Sequence, residues 1–233
     1  MDDIKKSQFF ILVGLKKIIL TALNKDNQIL LNKKLSLNDK DLNENLGSLK
    51  KFLDQNIIDT EKRLNTYIEE VNLIIDYHDF ISIDVSTIYN FSNRLKQSDN
   101  TSSYLLNIKN EVLKSMANYD LVHMLITKFI VDGKDFLSIS NINEHKNIFL
   151  EIKFICLKNN ILQDFKETFS KYEISINKVF DHSYVNSFRE PNLDNIFDLA
   201  DKLKKGHNQK EILLVEKPLK DVGFFNKFFN FFN

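Results

Sequence analysis

Several things are scarce in this chain, and each scarcity excludes something. Its 233 residues include a single cysteine, Cys156. That rules out an internal disulfide framework and suits a reducing compartment. Lys plus Arg total 32 and Asp plus Glu total 32. A net charge of zero lacks the basic footprint of a nucleic-acid binder, so no nucleic-acid partner is expected. No apolar run approaches the ~20 residues of a membrane-spanning helix. The start, Met1-Asp-Asp-Ile-Lys-Lys, mixes charges, and the apolar run 9–15 ends at Lys16-Lys17 without a small-residue cleavage site. It does not read as a signal peptide. Glycine is also sparse, with five in all. No glycine-rich phosphate loop, nucleophile elbow or pair of catalytic carboxylates is present. The expectation is a non-enzyme without a cofactor.

What is present is enough for one core, with 43% of residues apolar. Strands are expected over 8–13, 17–23 and 28–37, the last two separated by the turn cluster Asn24-Lys-Asp-Asn27. Leu42, Leu46, Leu49, Leu53, Ile57 and Leu64 recur at helical spacing and predict one long helix over 41–64. Strands follow over 70–75 and 80–91. A polar loop over 92–103 leads to a helix capped by Ser102 or Ser103 and carrying Leu105, Ile108, Val112 and Met116. Residues 120–131 are apolar on both faces and predict a central strand. A strand over 148–157, a helix capped by Asn160 with Leu162, Phe165, Phe169 and Tyr172, and a strand over 174–180 complete an α+β pattern. After Pro191 one more helical pattern carries Leu193, Ile196, Phe197, Leu199 and Leu203. Residues 206–222 then read as a tether, within which 212–215 has the texture of an edge strand.

Few residues carry chemistry. Asp76-Tyr77-His78-Asp79 is the one carboxylate–histidine cluster, but a turn explains it as well as a metal site does, and a metal needs three or four converging ligands. No metal is expected. His123 alternates with core residues and is expected to be buried and hydrogen-bonded. Cys156 has no neighbouring histidine pattern and is expected to be a core thiol.

The end of the chain, residues 223–233, has a pattern of its own. On a helix at ~100° per residue, Phe224, Phe225, Phe228, Phe229, Phe231 and Phe232 share an arc of roughly 160°. Asn226, Lys227, Asn230 and Asn233 take the other side. A helix of ~16 Å is too short for a ~30 Å bilayer but can lie in its interface. Packing of the same helix on its own domain is the plain alternative.

Four stretches in order resemble the actin-like bacterial division family FtsA, in a shortened form. Leu12-Val-Gly-Leu-Lys-Lys-Ile18 stands where that family has its first phosphate motif, Asp-Ile-Gly-Thr-Ser-Lys. Ile68-Glu-Glu-Val-Asn-Leu-Ile-Ile75 matches the strand after the long helix. Val122-His-Met-Leu-Ile-Thr-Lys-Phe-Ile-Val-Asp-Gly133 is similar to a strand of the family's inserted subdomain, with His123, Asp132 and Gly133 matching. The pattern over 149–180 and the Phe-rich end complete the likeness. The resemblance implies a partial actin-like lobe over 1–79, an inserted two-layer α/β subdomain over 80–181, a helical return over 182–205, a tether over 206–222 and a C-terminal amphipathic membrane helix over 223–233.

The departures are as informative as the matches. Of the phosphate motif only Gly14 and Lys17 survive; Leu12 replaces the metal-proximal acid, and Leu15 and Lys16 replace hydroxyl residues. Without oxygen ligands for Mg²⁺ or a phosphate cradle, no nucleotide is expected. The lobe that binds FtsZ in the family has no counterpart, which argues against direct FtsZ binding. What the resemblance implies is a non-catalytic, membrane-associated cell-division adaptor. It would contact divisome proteins or further FtsA-like subunits at the inner face of the bacterial cytoplasmic membrane, at the division site. The alternatives are an adaptor of a pilus or secretion platform, like PilM, and a nucleotide-dependent actin-like ATPase.

Overall fold

Strand β1 (Gln8–Gly14) is buried on both faces, and the reason is in its alternation. Phe9, Ile11 and Val13 enter one apolar core, and Phe10 and Leu12 enter another. A strand buried on both sides needs helices above and below it. The computed structural model, which describes residues 7–38, 42–90, 97–131, 133–136, 147–190 and 195–213, supplies them. It is a mixed α/β structure with two sheets.

The first sheet has five strands in the order β3-β2-β1-β4-β9. β1, β2 (Lys17–Leu23) and β3 (Ile29–Ser36) form an antiparallel meander. β4 (Glu70–Asp76) lies parallel to β1, and β9 (Ser175–Asp181) parallel to β4. Helix α1 (Leu42–Leu64) covers one face with α3 (Asn159–Ser170), burying Leu49, Phe52, Leu53, Phe165 and Phe169. On the other face α4 (His182–Asn186) and α5 (Ile196–Lys204) bury Tyr184, Val185, Phe197, Leu199 and Leu203 against Phe10, Leu12, Ile74 and Phe180.

The second sheet has the order β5-β8-β6-β7. β5 (Phe80–Asn90), β6 (Tyr119–Val131), the short β7 (Lys134–Phe136) and β8 (Asn147–Lys158) are antiparallel to their neighbours. Helix α2 (Gln97–Ser115) packs Leu105 and Ile108 on one face, against Met124, Ile126, Ile152 and Phe154. Gly133 turns the β6–β7 hairpin at φ 74, a conformation glycine adopts without steric cost.

Several expectations are adjusted. The two-layer unit expected over 80–181 closes earlier: α3 and β9 return to the first sheet, so β5–β8 sit as an insertion between β4 and its parallel neighbour β9. Sequence adjacency favoured keeping β9 with β8, but a parallel partner requires a crossover, and α3 provides it. α2 begins at Gln97 rather than at Ser102 or Ser103, because the helix runs on beyond its apolar stripe. α3 starts at Asn159, with Lys158 in the capping position instead of Asn160. The five-residue α4 carries no apolar period and was not anticipated; the Asp181 side chain caps it by accepting from the Ser183 N–H. The membrane helix read over 223–233 lies outside the described residues, as do 214–222.

Candidate functional site

Parallel pairing brings three strand ends to one edge: Gly14 of β1 is level with Asp76 of β4, and Asp181 ends β9 beside Ile75. In open α/β sheets ligands gather at such carboxyl ends. Here the edge is filled by the chain's own groups. Leu12 is 1% exposed and faces the α4–α5 core, so the position that resembles a metal-proximal acid is apolar and sealed. Leu15 packs against the α1 side. The backbone turns at Leu15 and Lys16 straight into β2 at Lys17. The Gly14 carbonyl accepts from Asn45 Nδ2 at 3.4 Å and from the Tyr77 hydroxyl at 3.3 Å, and Asn45 Nδ2 also donates to Tyr77 at 2.6 Å. A Cβ on Gly14 would come within 3.1 Å of Asp76 Cβ. A larger residue here would need Asp76 to give by a few tenths of an ångström, so strand contact by itself favours glycine.

The residues of the Asp76–Asp79 turn do not converge. Asp76 Oδ1 pairs with His182 Nδ1 at 3.1 Å, across to α4. That hydrogen bond, more than burial opposes it, holds the Asp76 carboxyl below its ordinary value. Among the described residues no group of three or more His, Cys, Asp or Glu side chains is placed to hold a metal ion. Cys156 is buried in the second sheet, and desolvation pushes its thiol up to about 11, away from nucleophile chemistry.

The densest polar chemistry lies where the two sheets meet. His123 on β6 is 1% exposed. Its Nε2 accepts the Asp181 backbone N–H at 3.2 Å, which leaves the proton on Nδ1 to be donated to Glu211 Oε1 at 2.9 Å. Lys178 donates to the same oxygen at 3.3 Å, and the Tyr184 hydroxyl donates to Oε2 at 2.8 Å. Asn208 Nδ2 donates to the Tyr184 hydroxyl at 2.8 Å, and the Tyr184 and His123 ring centroids are 4.2 Å apart. Burial lowers the pKa of His123, and bonding to Glu211 only partly offsets it. Burial alone would raise the Glu211 carboxyl; the bonds from His123, Lys178 and Tyr184 together bring it below its ordinary value.

Glu211 belongs to the stretch whose polarity reads as the start of a tether. Residues 206–213 instead run along β6 as a strap: Ile126 N–H donates to the Lys210 carbonyl and Ile212 N–H to the Met124 carbonyl, each at 2.8 Å. The Glu211 side chain is only 2% exposed. A carboxylate facing three donors outweighs the polarity of its neighbours. Sequence reasoning reached His123 but not Glu211, Lys178, Tyr184 or Asn208. The one available signal was the apolar run that begins at Ile212. Beside the strap runs a groove of about 430 Å³, lined among others by Lys109, Leu121, Val122, Met124, Lys178 and Leu213. No described helix is long and apolar enough to cross a membrane.

No protein family matches the chain, and no curated protein matches it in sequence. Three solved structures share part of its outline. A PilM–PilN type IV pilus biogenesis complex is 7% identical with a TM-score of 0.45, over 78% of this chain and 49% of that one. The cytoplasmic domain of EpsL, an inner membrane component of the Vibrio cholerae type II secretion system, is 9% identical with a TM-score of 0.37, over 80% and 59%. A Bacteroides thetaiotaomicron protein of actin-like ATPase fold and unknown function is 12% identical with a TM-score of 0.34, over 81% and 58%. The chain thus spans about half the length of these structures. With TM-scores all below 0.5, function is argued from the chain's own geometry.

Proposed function

We propose that this chain is a non-catalytic, membrane-associated adaptor built on part of an actin-like lobe, with the β5–β8 insertion and the adjoining strap groove as its partner-binding face. The observation that carries this reading is the filled strand edge. Where a nucleotide would need a phosphate cradle and oxygen ligands for Mg²⁺, Leu12 lies in the core and Asn45 and Tyr77 bond the Gly14 carbonyl. Asp76 is paired with His182. Such an edge stabilises a scaffold.

The finer reading follows the FtsA resemblance: a link between divisome proteins and the inner face of the bacterial cytoplasmic membrane, held there by the Phe-rich end. The rival is the alternative that the sequence resemblance leaves open, an adaptor of a pilus or secretion platform, like PilM. A fluorescent fusion in the native host separates them. A mid-cell band supports division. Polar or scattered foci support a platform, and a diffuse signal would sink both.

A further inference from the structure

Each of the two sheets ends in two edge strands, and three of the four carry the usual protections against pairing with another chain. β3 presents Lys33 and Lys34, and its pairing shifts register at Ala22/Leu23. β9 carries Lys178 and Asp181, and its register shifts at Val71/Asn72. β7 is three residues long. β5 has none of these devices. It is 11 residues long and pairs with β8 without a break from Phe80↔Leu157 to Asn90↔Asn147. It contains no Lys, Arg, Pro or Gly, and Asp84 is its one charge. Among the described residues no strand pairs with its other edge.

We propose that the β5 edge is a self-association surface, on which β5 of a second copy adds antiparallel across a two-fold axis. The two four-stranded sheets would join into one of eight strands. A two-fold axis sets a strand against itself antiparallel, so the same backbone donors and acceptors serve both partners. The side chains favour a copy of the same strand. Ile81, Ile83 and Val85 pack on the α2 side, while Ser82, Asp84 and Ser86 are exposed. Antiparallel pairing that preserves these faces continues both layers into the partner.

Charge selects the register. Centred on Val85, each Asp84 faces Ser86 of the other copy; with the register shifted by two residues, so that the axis passes through Asp84, the two carboxylates meet directly. Like charges directly opposite are destabilising. The Tyr104 hydroxyl already donates to the Ile88 carbonyl at 2.7 Å, so pairing is expected over 83–87. This inference stands apart from the functional reading above, since a dimer in solution says nothing of where in the cell it works.

The test uses the full chain carrying Phe225→Asp and Phe228→Asp, so that association through the Phe-rich end is removed. Light scattering after size exclusion, across a concentration series, should show a concentration-dependent dimer. In that background Ser86→Asp sets a carboxylate against each Asp84 and should weaken dimerisation by about tenfold or more. Ser86→Lys sets an ammonium there and should keep or tighten it. Thermal melts confirm that both variants fold, as expected for an exposed side chain. A protein that stays monomeric throughout overturns the proposal, and so does a dimer that both substitutions shift alike or neither shifts. The first of these results would leave the edge to a strand from a different protein.

Discussion

His123 has both ring nitrogens engaged, one as acceptor from the Asp181 N–H and one as donor to Glu211. Only the neutral ring can do this, since protonating Nε2 turns the acceptor into a second donor facing an N–H. The sign of the pH effect follows. With its folded pKa below the ordinary 6.5, His123 contributes stability that is complete above that value and lost as pH falls through the depressed one. Glu211, held below its ordinary 4.5, has the same sign at lower pH, whereas Asp181, raised by burial, has the opposite sign. Lys178 and Tyr184 complete the groups that face the ring's partner. The melting temperature should therefore fall between pH 7 and pH 5, and His123→Gln should flatten that fall; an unchanged slope in the variant would contradict the assignment. Glu211→Ala removes the shared acceptor of His123, Lys178 and Tyr184 and should cost about 3 kcal/mol in denaturant melts. A loss under 0.5 kcal/mol would mean that the strap does not depend on it.

At the scale of elements, the β1–β2 hairpin is the stretch that resembles a phosphate motif, and its packing makes that resemblance testable. Gly14→Ala places a methyl within 3.2 Å of Asp76 Oδ2 and 3.1 Å of its Cβ. Overpacking at strand contacts costs about 1–3 kcal/mol, so the variant should melt earlier whether or not any nucleotide binds. Calorimetry of the unmodified chain with ATP or GTP and Mg²⁺ is expected to show no binding. A clear micromolar isotherm would refute the filled-edge argument and return the nucleotide-dependent alternative.

For the whole molecule the proposed adaptor role raises the question of how a body with no spanning helix among its described residues would meet a membrane. The Phe-rich end, 223–233, reads as an interfacial helix, and as an anchor it is expected to be weak. Full burial of one Phe contributes roughly 1.5–3 kcal/mol, and interfacial rings are buried only in part. Eleven residues fall below the ~12–15 at which an isolated helix becomes marginal in water. Lys227 would add only ~1 kcal/mol of attraction to anionic lipid. If this end anchors the protein, several tails acting together are expected to be required, each raising the effective concentration of the next. Phe225→Asp with Phe228→Asp should release the protein from anionic liposomes without lowering its melting temperature. Persistent binding, or unfolding, would make the end part of the core instead. The same segment fused to a dimeric carrier should bind liposomes much more tightly than on a monomeric one, and equal binding would remove the case for assembly.

The sequence by itself determined the strands and helices whose apolar residues recur with a regular period. β1, β2, α1, β4 and β8 fall within a residue or two of expectation, because burial on a sheet or helix face imposes period 2 or 3.6 on the chain. It also determined that His123 would be buried, since its neighbours on β6 alternate around it. Tertiary structure alone decided three further things. β9 joined β4 because a parallel partner is chosen by crossover geometry, which no local pattern records. Gly14 lies in tight contact with Asp76, a residue 62 positions away. Glu211 is buried because three donors from β6, β9 and α4 meet at one point. A carboxylate looks solvated in sequence until the fold brings its partners around it.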